Sequence, residues 1–527
     1  MAAPADLILT NAEVHTLADP DGTAEAVAVR DGRIVRVDSA YEVAFLEGVG
    51  TEVIDCGGRV LLPGFVDAHT HMDAVGRRLV HADLSGAESR GAALDRLRAS
   101  AAETDAEGGA DDTDGDGGTA AEWVRGYGYD ESEWGETAYL TREDLDAVST
   151  DRPVVAFRED LHSASLNAAG LDALLDRMDE ATVRREDGRP TGVVVEGAVG
   201  VVQSALAEDR AATRDLLEAA RDRAHELGVT GVHDMVRSSH APRVYRELHG
   251  EDALDLRVRL NYWTDHLDAV EEAGLVSNAG GEFVRAGAIK SFTDGSIGSG
   301  TAKLSEPFAD SGGRGTWVVP PAELREWVER AEDAGFQFTA HAIGDEAVRE
   351  TLDAYADCED PAAARHRVEH AEVLTEELIE RFAEVGAVAS VQPNFHKWAR
   401  EGGLYETRLG VERTRESNPL GSLLEAGVPL AFGSDTMPLG PLFGIQQAVT
   451  APAPEQRVGV TEALRAYTRG AAYAGFDEDR MGTVERGKLA DLVVLEDSPW
   501  DVDPERIAEI DVATTIVDGE VVYRRED

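Results

Sequence analysis

The residue types best suited to holding a divalent cation stand at the end of Leu61-Leu-Pro-Gly-Phe-Val-Asp-Ala-His-Thr-His71, where an apolar run closes on two histidines one residue apart. In an extended strand, side chains at i and i+2 share a face, so His69 and His71 look the same way. Two imidazoles so placed hold one divalent metal at about 2.0–2.1 Å. A His-x-His pair also arises by chance on surfaces, so the metal reading depends on further ligands elsewhere in the chain.

Four residues are placed to supply them. Lys290 ends the apolar run Ala286-Gly-Ala-Ile-Lys290 in a chain that has only four lysines. An inward lysine there is costly unless its charge changes. Carboxylation by CO₂ would turn the amine into an anionic oxygen ligand able to bridge two cations; an outward lysine, or an ion pair with Asp294, is the plainer reading. His341 and His370 each close an apolar run, and Asp435 follows Phe432-Gly-Ser434. One such histidine alone reads as a hydrogen-bonded core residue, whereas two on successive strands of one rim favour ligands.

These residues need a scaffold that brings strand ends together. Runs ending near His71, Met235, Tyr262, Phe292, His341, His370, Gln392 and Asp435 make eight strands. Most of the stretches between them, such as Ala322–Ala331 and Glu376–Ala383, carry apolar residues at helical period. Eight βα units predict a (β/α)₈ TIM barrel, an α/β fold whose active site lies at the C-terminal strand ends. Strand eight neighbours strand one in such a barrel, which returns Asp435 to His69 and His71.

Both termini instead show short alternating strands and tight turns, including Asp31-Gly32 and Leu489–Leu495. Residues 1–62 and 483–527 therefore read as halves of one composite β-sandwich, and 63–482 as the barrel. The gap from about 80 to 205 is too long for a βα connection and reads as a large insertion after strand 1. It holds the acidic tract 107–118, in which Asp112, Asp114, Asp116 and Gly117 match the start of a calcium loop. The closing position, however, holds Trp123. Trp123 and the aromatics after it either line a substrate pocket or pack the insert.

Asp and Glu number 102 against 50 Lys and Arg, for a formal charge of −52. This excludes nucleic acid and anionic membranes as partners. It fits a solvated acidic shell in concentrated salt, where ~1 M salt shortens the screening length to about 3 Å. Cys56 and Cys358 stand outside any CxxC pattern, which fits a reducing cytoplasm. The N-terminus has no basic signal-peptide region, and no apolar run approaches a membrane span of about 20 residues. A homo-oligomer remains open. No GxSxG elbow occurs, and Thr301 stands where a phosphate loop needs lysine.

Taken together, Pro63–His71, Lys290–Ala302, Ala340–Asp345, Arg367–His370, Ser390–Pro393, Gly433–Asp435 and Gly482–Leu495 resemble the amidohydrolase superfamily. Within it the chain is similar to the amidohydrolase-3 group, the YtcJ-like and N-substituted formamide deformylase-like proteins. The resemblance implies the sandwich-plus-barrel fold and one or two divalent metal ions, usually zinc. It implies that His69, His71 and Asp435 bind the first metal, His341 and His370 the second, and a carbamate on Lys290 bridges them; a one-metal site would leave Lys290 unmodified.

The expected reaction is hydrolysis of a non-peptide C–N bond in a small molecule, an N-acyl or N-formyl amide. A metal brings the pKa of water to roughly 7, and Asp435 serves as general base, then acid. A mononuclear deaminase of an amino-substituted heterocycle and a non-catalytic binding protein on the same barrel stay open as alternatives. His162, Asp294, Gln392 and His396 are further candidates for substrate contact, each equally readable as a satisfied polar residue.

Overall fold

The computed structural model describes residues 3–107, 123–131, 134, 138–159 and 163–526. They form two compact units, one comprising Met1–His71, Arg221–Ser238 and Pro242–Asp527, the other Met72–Ala220 and Ser239–Ala241. Residues 108–118 of the acidic tract, with the calcium-loop aspartates, lie outside the described residues, as does His162.

The first unit contains an eight-stranded sheet: β1 Phe65–Thr70, β2 Val229–Val236, β3 Arg257–Trp263, β4 Val284–Phe292, β5 Phe338–Ala342, β6 Arg367–His370, β7 Val388–Val391 and β8 Leu430–Phe432. Neighbours pair in parallel in chain order from β1 to β8. Parallel strands are covered on both faces and read as nearly continuous burial. Accordingly β2, β3 and β5 to β7 are buried at every residue. The seam between β8 and β1 is stitched beyond the ends of β8: Asp435 N–H donates to the His69 carbonyl at 2.8 Å, and Ser434 N–H donates to Asp67 Oδ1 at 3.0 Å.

The covering helices follow from local chemistry. In the helix Glu376–Val385, the Thr375 side chain accepts from the Leu378 N–H at the start. Leu378, Phe382 and Val385 recur at i, i+4 and i+7 and are the buried face, and Gly386 at φ 74° ends it in the left-handed region. Pro321–Asp333 buries Leu324, Val328 and Ala331 by the same spacing.

Both ends of the chain build two further sheets of this unit. One has four strands, Leu7–Thr10, Ala26–Arg30, Arg33–Asp38 and Glu52–Asp55; the other has six and includes Val60–Pro63, Leu492–Leu495 and Val512–Val517. Leu7, Leu9, Val27, Val29, Leu61, Leu492, Val494 and Ile516 share their core. The run Leu61–His71 is thus two strands, not one. Val60–Pro63 pairs antiparallel with Leu492–Leu495, while Phe65–Thr70 opens the barrel. Gly64 makes the crossing, because a Cβ there would stand 2.3 Å from the Thr230 side chain.

The second unit has its own six-stranded sheet, in the order Val183–Glu186, Arg189–Val195, Ser163–Leu166, Val154–Arg158, Val124–Tyr129, Ala82–Asp83. Trp123, Phe157, Leu166 and Leu171 are buried together in one of its apolar clusters. Trp123 therefore fills the core of this unit.

Candidate active site

The geometry begins with β1. His69 and His71 both direct Nε2 at Asp435 Oδ1, at 3.5 and 3.3 Å. Their other nitrogens settle the proton positions. His69 Nδ1 meets Glu369 Oε2 at 2.6 Å, and His71 Nδ1 meets the Met235 carbonyl at 3.1 Å. A carboxylate and a carbonyl only accept, so both rings donate from Nδ1, and Nε2 of each faces Asp435. Two imidazole nitrogens and a carboxylate oxygen so converged are a donor set that one divalent cation can share. Among the described residues, His69, His71 and Asp435 form the one group of three His, Cys, Asp or Glu donors whose ligand atoms all lie within 4.8 Å of one another.

Around this trio the barrel rim adds Lys290, His341 and His370. Lys290 is 1 % exposed, and its Nζ has no hydrogen-bond partner. Burial lowers its pKa to about 8, against the opposing pull of the Glu369 and Asp435 carboxylates. The His370 ring lies 4.4 Å from that of His341 and 5.0 Å from that of His69, and its Nδ1 is also buried without a partner. His341 Nε2 donates to the Gly295 carbonyl at 3.0 Å, which leaves Nδ1 as its free donor atom. Burial lowers the pKa of His341 to about 3 and drives that of His370 well down, so both are neutral imidazoles. Asp435 goes the other way: burial alone would raise it, but His69 and His71 beside it hold it below the usual carboxylate range.

The backbone at two of these positions is unusual. His370 has φ 74° with Ala371 at 48°, and Asp435 has φ 50° with Thr436 at 61°. Non-glycine residues reach this region at a cost, and such residues gather at functional sites. Simple alternation along β6 would send His370 to the opposite side from Glu369. The left-handed turn brings its ring to the rim instead. At Asp435 the turn is clamped by Asn394, whose Nδ2 donates to the carbonyls of Ser434 at 2.7 Å and Met437 at 2.9 Å.

The other candidates are buried in bonds of their own. Asp294 is fully buried, and its carboxylate accepts from the N–H groups of Ile343, Gly344 and Lys303 at 3.0, 2.9 and 2.7 Å. It ties the loops after β4 and β5 together, with Oδ1 also 3.7 Å from His341 Nε2. His396 is buried, with Nε2 donating to the Asn418 carbonyl at 3.3 Å. Gln392 is buried and reaches the Ser390 carbonyl at 3.4 Å. Trp123 packs the core of the second unit, as described above.

Glu369, Arg367 and Asn394 were not singled out from the sequence. The signal for the first two was available: an arginine and a glutamate at i and i+2 of a strand that must be buried on both faces.

A family model described as "Amidohydrolase family" matches residues 52–523. YtcJ of Bacillus subtilis (strain 168) is 30% identical over 97% of this chain and 98% of its own. N-substituted formamide deformylase of Arthrobacter pascens is 27% identical over 99% of this chain and 98% of its own. Among solved structures, an uncharacterized metal-dependent hydrolase from Pyrococcus furiosus is 29% identical, covering 95% of this chain and 99% of its own, with a TM-score of 0.76.

Proposed function

The chain belongs to the amidohydrolase family, and from that premise we propose that it is a metal-dependent hydrolase of non-peptide C–N bonds acting on a small N-acyl or N-formyl amide. The observation that carries this reading is the convergence of His69 Nε2 and His71 Nε2 on Asp435 Oδ1, an arrangement that fits a divalent cation. His69, His71 and Asp435 would hold it; Lys290, His341 and His370 are the residues for a second ion, with Lys290 as a carbamate. The buried, unpartnered Lys290 Nζ and His370 Nδ1 support that extension. Zinc suits a donor set of imidazoles and carboxylate.

When bound, such a metal supplies Lewis acidity that makes hydroxide accessible near neutral pH. The chain's own groups do the rest. Glu369 and the Met235 carbonyl keep both imidazoles in the Nδ1–H form. Asp435, ionised and only 14% exposed, takes a proton from water and returns it to the leaving nitrogen. The formamide specificity of the Arthrobacter relative supports an acyl or formyl nitrogen substituent as substrate.

The −52 charge supports action in concentrated salt. Two buried, free cysteines suit a reducing cytoplasm. Among the described residues no helix is long and apolar enough to cross a membrane.

Metal analysis of protein purified in molar salt, followed by a screen of N-acyl, N-formyl and cyclic amides, tests the reading. We expect at least one bound divalent ion per chain and amine release from an amide. Hydrolysis of esters alone would overturn the C–N assignment, and metal-free active protein would overturn the centre.

A further inference from the structure

We propose, resting on the metal-centre reading above, that Glu369 is the positioning residue of this site: it locks His69 in the Nδ1–H form and aims its Nε2 at Asp435. The carboxylate is completely buried, and both oxygens are committed. Oε2 accepts from His69 Nδ1 at 2.6 Å. Oε1 accepts from the Thr339 hydroxyl and pairs with Arg367 Nη2 at 2.8 Å.

Arg367, itself fully buried, is anchored in turn. Nη2 donates to the carbonyl of Ala68 at 2.5 Å and to Ser390 Oγ at 2.8 Å, and Nη1 meets His233 Nδ1 at 2.8 Å. Because Ala68 precedes His69, one guanidinium fixes both the backbone beside the ligand and the carboxylate that orients its ring. Arg367 and Glu369 stand at i and i+2 of β6 and so point together into the barrel. A mere counter-ion for Arg367 would need only Oε1; Oε2 reaches across to β1.

His71 is held differently. Its Nδ1 faces a neutral carbonyl, and its side chain is 32% exposed against 2% for His69. A carboxylate behind an imidazole raises the basicity of the ligating nitrogen, and losing such a partner typically weakens metal affinity ~10–100-fold. The Glu369 carboxylate therefore strengthens His69 as a ligand.

Two measurements test this. In metal-free protein labelled with ¹⁵N-histidine in molar salt, two-bond ¹H–¹⁵N correlation reports each tautomer, and the His69 signal is the one lost in His69→Asn. We expect Nδ1–H at His69; an Nε2–H ring in the parent protein overturns the inference. Zinc affinity is then measured by chelator competition, with near-ultraviolet circular dichroism as the check on folding. Glu369→Gln should bind zinc ~10–100-fold more weakly, and a folded variant that binds as tightly as the parent overturns the inference. If Glu369→Gln fails to fold, the tautomer of the parent decides alone. A parent that binds no zinc or other divalent ion sinks the metal-centre reading, while the tautomer still decides the role of Glu369.

Discussion

The backbone N–H of Asp435 donates to the carbonyl oxygen of His69 across 2.8 Å, so the two residues whose side chains face each other at the site are also joined through their main chains. The bond lies at the seam where β8 meets β1. Barrel closure and assembly of the site are therefore one event, and whatever loosens the seam separates the ligands.

The carboxylate of Asp435 can be tested apart from that backbone bond. Asp435→Asn keeps the main-chain N–H and a side-chain oxygen but cannot carry a proton. We expect metal content to persist while kcat falls by ~10²–10⁴. Parallel metal analysis and steady-state kinetics check this, and near-parental turnover would remove Asp435 from the proton pathway.

The left-handed turn at Asp435 and Thr436 depends on Asn394, which holds carbonyls on both sides of it. Asn394→Ala removes the amide donor from both, and the Met437 carbonyl keeps only Lys397 Nζ at 3.2 Å. A cost of ~1–3 kcal/mol is expected, read as a lower Tm. Because the carboxylate is displaced, kcat should fall more than KM rises.

Lys290 makes an opposite prediction for stability and for metal. Its buried amine has no hydrogen-bond partner, so in chelator-stripped protein Lys290→Met, close in volume and uncharged, should melt at or above the parent. The metal-to-chain ratio should fall if Lys290 contributes to a second ion. Thermal melts with and without chelator, beside metal analysis, separate the two effects.

His366 carries a pH dependence remote from the trio. It is buried at the start of β6, accepts the Phe338 N–H at Nδ1 across 2.9 Å, and lies 3.4 Å from Cys358 Sγ. Burial lowers its pKa from 6.5 to about 4. Below pH 6.5 the unfolded chain binds a proton that the native state refuses, so this contribution is intact above 6.5 and is lost as pH falls towards 4. His366→Gln, which can still accept from Phe338, should lose less stability than the parent between pH 6.5 and 4. Equal slopes of Tm against pH would contradict this.

Salt is the broadest test. With a formal charge of −52, repulsion at millimolar ionic strength acts over tens of ångströms, against about 3 Å in ~1 M salt. Circular dichroism and activity should both be lost on dilution from molar to millimolar salt. Unchanged values would mean that the acidic surface is no adaptation to salt.

The strand ends that carry His69, His71, Lys290, His341, His370 and Asp435 could be read from the chain alone. Polar residues closing apolar runs betray themselves by the cost of burying them, and the order of eight βα units dictates which ends are neighbours. Period-two patterning placed His69 beside His71 for the same local reason. Alternation is local, however, and says nothing about contacts at long separation. The bond from His69 to Glu369 spans 300 residues, and the bonds from Asn394 to the Asp435 turn span about 40.

Nor does a residue's type reveal that its backbone will turn left-handed. At His370 and Asp435 that local cost is outweighed only by interactions the closed barrel supplies. Residue chemistry by itself therefore determined which groups are available to hold a cation. Closure of the sheet decided which of them meet, that Asp294 anchors two loops and that Trp123 packs a core.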